Sequence, residues 1–338
     1  MVPGGLPVGI RLDSKVGSGY CRGVKRWSLL SCLIFLWPIG AAADEMDPEL
    51  ARLRLSAGEA GCTAAAGYCP DLALFERLVS ELAIAAAPPS LVPAPTSGVR
   101  GVWLGIVHTV TSIDGSGAHW RAATGDDTVD ATAPMLHWTR VLVRKGLPLG
   151  LELGGHVGHG MHTSMWTLGG QVKLAVLEGF QTGLGRLPDM ALTFSTQGLF
   201  GARDLRLMTS GLDWTLSKSW VVGGAFRLTP LAVGQLLWVR AESGFVDLSW
   251  PACDAQDPCR EVEPLAESNA AGVDTFGRLT QLRVRWALGA ELARGALRFL
   301  LSAAVEGPTH ALRYRSEQDS QARAALQFAM NGALAVEF

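Results

Sequence analysis

The chain has 338 residues, a formal net charge of −2, 18% charged residues and a mean hydropathy of +0.22. The near-neutral charge gives no electrostatic reason to expect a nucleic-acid partner or an acidic ligand surface. Soluble domains carry roughly 25% charged residues, so the excess of apolar residues must lie in a rich soluble core or be spread over many alternating strands.

The first predicted element is an export signal. Two basic residues at 25–26 precede an apolar run at 27–39, which at about 13 residues is too short to span a bilayer as a helix. Alanines at 41–43 follow. This order predicts a secretory signal peptide over 1–43, cleaved before Asp44. A cytosolic helix is the alternative.

The residues ahead of the basic pair do not look like part of that signal. Residues 1–23 contain Gly and Pro and are typical neither of a signal peptide nor of a folded element. We therefore hypothesise a mis-set start, with translation beginning near Val24.

Residues 44–97 are predicted to form a small helical segment in the periplasm. The stretch 47–49 is typical of a helix start, with an acidic first turn and Pro near the first position. Leucines at near-helical spacing predict a second helix over 71–86, and prolines within 88–95 predict an extended linker. A plug or a simple lead-in to the next domain is the alternative role.

The cysteines of the exported chain form two close pairs in the sequence. Cys62 lies near Cys69, and Cys253 lies near Cys259. An even number of locally paired cysteines in an exported protein predicts two disulfides that each close a small loop. A zinc site is the alternative, but it needs four converging ligands, and the pairs are far apart in sequence.

Residues 98–338 follow a period of two and predict an outer-membrane β-barrel. The C-terminal segment is the clearest case, because apolar residues alternate with small or polar ones from Leu326 to Phe338. A strand with one face towards lipid and one towards a polar lumen has this pattern. Ten such strands are predicted, at 99–113, 134–145, 148–158, 164–177, 188–200, 205–217, 228–249, 278–292, 295–308 and 324–338.

The strand count agrees with the usual topology of bacterial barrels. An even number of strands leaves both chain ends in the periplasm, with short turns there and longer connections outside. The predicted short turns are 145–148 and 293–296, and the long connections are 114–132, 250–277 and 309–323. If 218–227 holds real strands instead of a turn, the count becomes twelve.

Tryptophan supports a membrane location. Trp side chains collect at lipid interfaces because the ring is apolar and the N–H needs a partner. A soluble β protein that uses Trp in its core is the alternative. Eight of the 11 tryptophans fall in or beside predicted strands: Trp103, Trp138, Trp166, Trp214, Trp220, Trp238, Trp250 and Trp286.

Several short pieces resemble a family of Gram-negative outer-membrane β-barrel proteins with no assigned activity. They are RKGLPLGLELG at 144–154, LPD at 187–189, GARDL at 201–205, LTP at 228–230 and CPD at 69–71. The resemblance covers roughly 60–338. It implies a barrel and an outer-membrane location, and it brings no catalytic residues. The predicted fold class is all-β, an antiparallel transmembrane barrel with a short N-terminal helical segment.

The predicted inward faces carry charges of both signs. A charge in a narrow lumen is costly unless it is paired, so we predict a ladder of ion pairs that fills the barrel. An open porin of this length would need about sixteen strands, whereas ten or twelve leave little room for a wide channel. A narrow polar path for a small solute is the alternative. The predicted lumen charges are Arg140, Arg144, Glu152, Lys173, Asp213, Arg240, Glu242, Arg283, Arg285, Glu291, Arg298 and Glu306, with His156 and Glu337 on the same faces.

No residue pattern is diagnostic of catalysis, of a cofactor or of a metal site, so we expect no enzyme. A rim protease would need the histidines at 156, 159 and 162 beside acidic loop residues, and no spacing in that set is diagnostic. The same histidines are a candidate metal site, but a period of three does not place three side chains on one strand face. A lipid-facing hydrolase would need a Ser beside a His, and Ser302 and Ser164 have no such neighbour in the pattern.

The resulting functional hypothesis is a structural or interaction barrel that meets partners through its outer loops. A narrow channel for small solutes or hydrophobic molecules is the second hypothesis, and a rim hydrolase is the third. The expected partners are outer-membrane lipid and the barrel-insertion machinery, which would recognise the C-terminal Phe338. We expect a monomer with no nucleic-acid partner and no cofactor.

Overall fold

The computed structural model describes nine stretches of the chain, and all of them belong to one compact unit. The predicted signal peptide and the second cysteine pair, Cys253 with Cys259, lie outside these stretches. The nine described stretches are residues 46–56, 58–59, 62, 67–89, 92–125, 134–178, 187–248, 273–307 and 326–338.

Ten long antiparallel strands form a closed barrel. Each strand pairs with the next along the chain, and β10 pairs with β1, so this sheet has no free edge. The strands are β1 Val102–Ser112, β2 Met135–Gly146, β3 Leu151–Gly160, β4 Trp166–Leu177, β5 Asp189–Phe200, β6 Leu205–Ser217, β7 Phe226–Ser243, β8 Arg278–Arg294, β9 Leu297–Glu306 and β10 Gln327–Glu337.

All ten predicted strands are confirmed, and the uncertain stretch 218–227 does not add two more. Trp220–Val222 pairs only with the first residues of β7 and forms a short hairpin below the main ladder. The count is therefore ten. A further short pairing joins Val246–Asp247 to Val273–Asp274.

The wall of the barrel is apolar on its outer face. On β10 the outward side chains Phe328, Met330 and Leu334 are exposed, while the inward Ala329 and Asn331 are buried. Exposed large apolar residues recur in the same way on the other strands. Soluble proteins do not expose apolar surface on this scale, so the architecture is that of a transmembrane barrel.

The two ends of the barrel differ. Phe338 bonds to the start of β1 at one end, where the short turns 147–150 and 295–296 also lie. We call this the C-terminal end. At the other end, which we call the loop end, β1, β7 and β9 finish and β2, β8 and β10 begin.

The N-terminal segment enters the barrel from the loop end, and the residues of it that the structure describes ahead of its helix contain little regular structure. The predicted first helix is only a 3-10 turn, Leu50–Arg52. A short hairpin pairs Arg54–Ser56 with Tyr68–Pro70, and the predicted disulfide Cys62–Cys69 is confirmed beside it.

Two α-helices occur in the described ranges, α1 Leu72–Ala86 and α2 Ala118–Thr124. The predicted second helix is thus confirmed as α1, and the Asp71 carboxylate caps it by accepting hydrogen bonds from the N–H groups of residues 73 and 74. Neither helix of the described part is long and apolar enough to cross a membrane.

The helix α1 lies inside the barrel, whereas the sequence placed it in the periplasm. Its apolar residues Phe75, Leu78 and Leu82 form one buried cluster with inward residues of the wall such as Trp138 and Leu237. This burial is the physical reason for the difference, because the apolar face of α1 finds a matching apolar surface within the loop-end half of the lumen.

Two tryptophans close over a glycine on the outer wall. Gly234 on β7 lies in register with Trp214 on β6 and Trp286 on β8, and the two rings meet edge to face with centroids 5.4 Å apart. A Cβ at position 234 would overlap the Trp214 ring.

We therefore expect Gly234→Ala to displace this aromatic pair and to lower the free energy of unfolding by about 1–3 kcal/mol, the usual cost of overpacking. Urea titration of the refolded protein in detergent, followed by Trp fluorescence, measures the change. The matched control is Gly332→Ala, where the nearest atom to the new Cβ is the Leu301 Cδ2 at 3.6 Å. Equal midpoints for the two variants would contradict the prediction.

Candidate functional site

The C-terminal end of α1 is held by a buried arginine from the barrel wall. The Nη2 of Arg140 lies 3.3, 2.9 and 3.2 Å from the carbonyl oxygens of Ala85, Ala86 and Ala87, to which it donates. The last carbonyls of a helix have no partner within the helix and carry the negative end of its dipole. Arg140 supplies both the donors and the opposite charge.

Two further arginines hold the same helix from β8. The Nη2 of Arg285 donates to the Ile84 carbonyl at 2.9 Å, and the Nη1 of Arg283 donates to the Ser80 carbonyl at 3.0 Å. The buried carboxylate of Glu306 lies against both guanidinium groups and offsets part of their charge.

A second cluster holds the linker that follows α1. The Glu152 carboxylate is 3.1 Å from Arg144 Nη1 and 3.3 Å from Lys173 Nζ, and all three side chains are buried. Lys173 also donates to the carbonyls of Pro93 and Pro95, at 3.2 and 2.9 Å. The linker is thus bonded along the inside of the wall on its way to β1.

A third cluster closes the C-terminal end of the lumen. The Nε of Arg298 is 2.9 Å from the Glu337 carboxylate and 3.9 Å from the Glu291 carboxylate. Arg227, at the start of β7, approaches the same Glu291 carboxylate at 3.8 Å.

At the loop end, α1 is tied to α2 by an acidic residue that the sequence analysis did not select. The Glu81 carboxylate accepts a hydrogen bond from Trp120 Nε1 at 2.8 Å, and it lies 3.2 Å from His119 Nε2. The rings of Phe75 and Phe276 stack at 4.9 Å above this contact. The sequence did carry an indication of this contact, because Glu81 is the one charged residue in the second half of α1.

The structure places ten of the twelve predicted lumen charges inside the barrel, where they are buried. Asp213 is among them, in register with Gln235 on the next strand. Two tryptophans that were predicted at the lipid interface also point inwards, with Trp103 under Arg144 at 4.0 Å and Trp138 near Arg140 at 5.4 Å.

Arg240 and Glu242 are a correction, since both lie on the outer wall. The inward positions between them and beside them, Val239 and Ala241, are apolar and fully buried against the core that surrounds α1. The rule that polar residues point inwards is reversed at this height, because an apolar plug fills the lumen there.

The three spaced histidines do not converge. His156 is buried in the lumen and lies 2.9 Å from Gln197 Oε1, His159 packs on the Trp166 ring, and His162 lies in a turn with φ of 58°. Ser302 accepts a hydrogen bond from Asn331 in the lumen, and the backbone of Ser164 bonds to Asp47. The structure therefore does not bring together the three histidines that the rim-protease alternative needs, and it places neither serine beside a histidine in these contacts.

A different polar group lies on the outer wall and was missed from the sequence. His108 Nδ1 is 3.0 Å from Thr139 Oγ1, and His108 Nε2 is 3.3 Å from His137 Nδ1. Exposed apolar side chains surround this group, including Ile106 and Met135. The sequence did carry an indication of this group, because His108 on β1 and His137 and Thr139 on β2 occupy positions that the alternation assigns to the lipid-facing side.

No protein-family model matches the chain, and no curated protein matches it either. Solved structures that align with it include the N-terminal β-barrel domain of OprF from Pseudomonas aeruginosa, at 8% identity over 71% of this chain and 99% of that chain, with a TM-score of 0.28. The outer membrane protease OmpT from Escherichia coli aligns at 9% identity over 75% and 100%, with a TM-score of 0.28. The translocator domain of the autotransporter NalP from Neisseria meningitidis aligns at 11% identity over 72% and 89%, with a TM-score of 0.32.

At TM-scores this low the likenesses carry no argument, and the barrel stands on its own strand pairing and apolar wall. The resemblance noted in the sequence is confirmed as far as this architecture goes.

We expect Arg140→Met to loosen α1 without opening the barrel. The change removes the charged donor from three helix carbonyls, which costs about 2–3 kcal/mol. Amide hydrogen exchange, read by mass spectrometry, should speed up across residues 72–86 and stay unchanged in β1 and β10. The control is Arg206→Gln, an exposed arginine on the outer wall. Equal exchange of α1 in the two variants would contradict the assigned role.

Proposed function

We propose that this protein is an exported outer-membrane barrel that its own N-terminal segment closes to solutes, and that it acts through the surface at its loop end. The observation that carries the proposal is the occupied lumen. Arg140, Arg283 and Arg285 bond α1, and Lys173 bonds the linker after it, so the segment is fixed at several heights.

The dimensions favour a closed barrel over a channel. An α-helix with its side chains is about 10–12 Å across. A barrel of about eight strands is just filled by its own side chains, so ten strands around a helix leave no wide passage. The narrow-channel hypothesis is therefore the less favoured of the two.

The outer membrane is proposed as the location on three grounds. The wall is apolar, the strand number is even, and the sequence has the features of a signal peptide over 1–43 with cleavage before Asp44. The exposed Phe338 at the end of β10 is proposed as the residue that the insertion machinery recognises. We further propose a monomer in contact with outer-membrane lipid.

The part of the N-terminal segment ahead of α1 would then lie on the outside of the cell. Met46 N–H donates to the His162 carbonyl at 3.2 Å, and Glu49 N–H donates to the Ala123 carbonyl at 2.8 Å, so both join connections at the loop end. Together with α2 and the disulfide-closed hairpin, this segment forms the surface that is proposed to meet partners.

Single-channel recording tests the closed state. We expect the refolded wild-type protein to show no steady conductance in a planar bilayer. The double variant Arg140→Ala/Arg285→Ala should show intermittent openings, because α1 loses the two arginine donors to its C-terminal carbonyls. Steady conductance of the wild type would overturn the proposal in favour of the narrow channel.

A second candidate function is hydrolysis of a lipid ester at the outer wall, and the group Thr139–His108–His137 favours it. Ionisable side chains that face lipid are rare and mark functional sites by default. The Thr139 hydroxyl would donate to His108 Nδ1, and His108 Nε2–H would donate to His137 Nδ1, so the bonds run in one direction from nucleophile to base.

In this candidate reaction the Thr139 oxygen forms a bond to the ester carbonyl carbon and gives its proton to His108. The alcohol leaves with that proton, and water then cleaves the Thr139 ester with His108 as the base again. No redox partner or cofactor is required.

We expect Thr139→Val to lower any turnover of a p-nitrophenyl ester by at least about 100-fold, which is the low end of what a positioned general base contributes. The matched control is Thr196→Val, since Thr196 is also half-buried on the outward face and is hydrogen-bonded to Ser210 at 3.0 Å. Absence of turnover by the wild type, or equal loss in both variants, would sink this candidate.

A further inference from the structure

Four charged side chains lie together on the outer wall at the loop end. Arg206, Glu242 and Arg278 occupy one row across β6, β7 and β8, and Arg240 stands one outward position lower on β7. We call these four residues the arginine rim. Three positive charges and one negative charge leave this group with a net positive charge.

The rim stands directly on top of the apolar wall. Below it the next outward residues are the exposed Met208 on β6, the exposed Trp238 on β7 and the polar Thr280 on β8. Apolar outward residues continue along β7 as far as Leu228. From position 238 to position 228, a strand tilted by about 40° descends roughly 25 Å. The apolar band of a membrane barrel is about 25 Å tall, so the rim lies at the height of the lipid headgroups.

The arginines of the rim are held close together by one carboxylate oxygen. Glu242 Oε1 accepts from Arg240 Nη2 at 2.7 Å and from Arg278 Nε at 2.5 Å. The two arginine side chains are nevertheless 54% and 62% exposed, so each keeps N–H donors directed to the outside. Glu242 thus positions two guanidinium groups side by side.

Paired guanidinium groups match the geometry of a phosphate, because each planar fork can donate two parallel hydrogen bonds to its oxygens. Trp238 below them offers an apolar and aromatic surface to an acyl chain. A ligand that fits both features carries a phosphate at the top and hydrocarbon below.

We propose that the arginine rim is a binding site for the phosphate of a lipid headgroup in the outer leaflet, with the acyl chains lying on the wall below Trp238. The site rests on the proposed function only in taking the loop end as the outer side of the membrane. Arg240 and Arg278 bind the phosphate, Arg206 adds positive charge, and Glu242 is a positioning residue.

The test is native mass spectrometry of the refolded protein in detergent with lipid A as the probe. The wild type should retain lipid A at least about tenfold more tightly than fully dephosphorylated lipid A. Arg240→Gln/Arg278→Gln should remove that preference, and Arg206→Gln should reduce it. The heat-modifiable gel shift verifies folding, and the single variant keeps the test valid if the double variant does not fold.

The matched control is Arg227→Gln/Arg294→Gln. These two exposed arginines lie at the C-terminal end of the barrel, Arg227 at the start of β7 and Arg294 at the end of β8. This control should bind lipid A like the wild type. Equal retention of both lipids by the wild type would overturn the site, and so would an unchanged preference in Arg240→Gln/Arg278→Gln. Inorganic phosphate bound as tightly as lipid A would overturn the assignment to a lipid.

The outcome separates this inference from the proposed function. A barrel that conducts and still prefers lipid A through the rim would refute the closed state and keep the site. If surface labelling of intact cells fails to reach a tag inserted in the connection 113–134, the loop end is not the outer side, and the proposed orientation fails whatever the lipid measurement gives.

Discussion

The structure depends on how a helix can end inside a closed barrel. The last turn of α1 points its carbonyl groups into the lumen, away from the loop-end surface, and an unpaired buried carbonyl is costly. Arg140 and Arg285 supply donors from the wall, and Glu306 offsets the buried charge of Arg285 together with that of Arg283. The helix, the arginines and the acidic partner therefore form one unit in which removal of any member leaves another unsatisfied.

This arrangement divides the lumen into two halves. Towards the loop end the inward wall is apolar and packs on the apolar residues of α1, Leu78 and Leu82 among them. Towards the C-terminal end the inward wall is charged and bonds the extended linker through Glu152 and Lys173. The apolar side chains of the helix are stabilised by packing on an apolar surface, because its backbone groups are already paired within the helix. The extended linker has unpaired backbone groups, which need hydrogen-bond donors and acceptors from the wall. The wall changes character where the chain inside it changes conformation.

The outer wall carries the remaining chemistry. It is apolar over most of its height, so each polar group that faces outwards has lost solvation and must recover it from a neighbour or from lipid. His108 and Thr139 recover it from each other and from His137. In the arginine rim, Glu242 replaces part of the lost solvation, and the arginines keep N–H donors directed outwards at the height of the lipid headgroups.

The sequence by itself determined the barrel, the ten strands, the helix α1 and the Cys62–Cys69 disulfide, because strand alternation, helical spacing and close cysteine pairs are local patterns. It also indicated that charges fill the lumen. Only the tertiary structure decided that α1 lies within the barrel and that Arg240 and Glu242 face outwards. Periodicity fixes which residues share a face, but which face meets the interior depends on what occupies that interior. Here the occupant comes from 44–97, whereas Arg283, Arg285 and other wall residues that enclose it come from strands distant in the sequence, so no local pattern could reveal it.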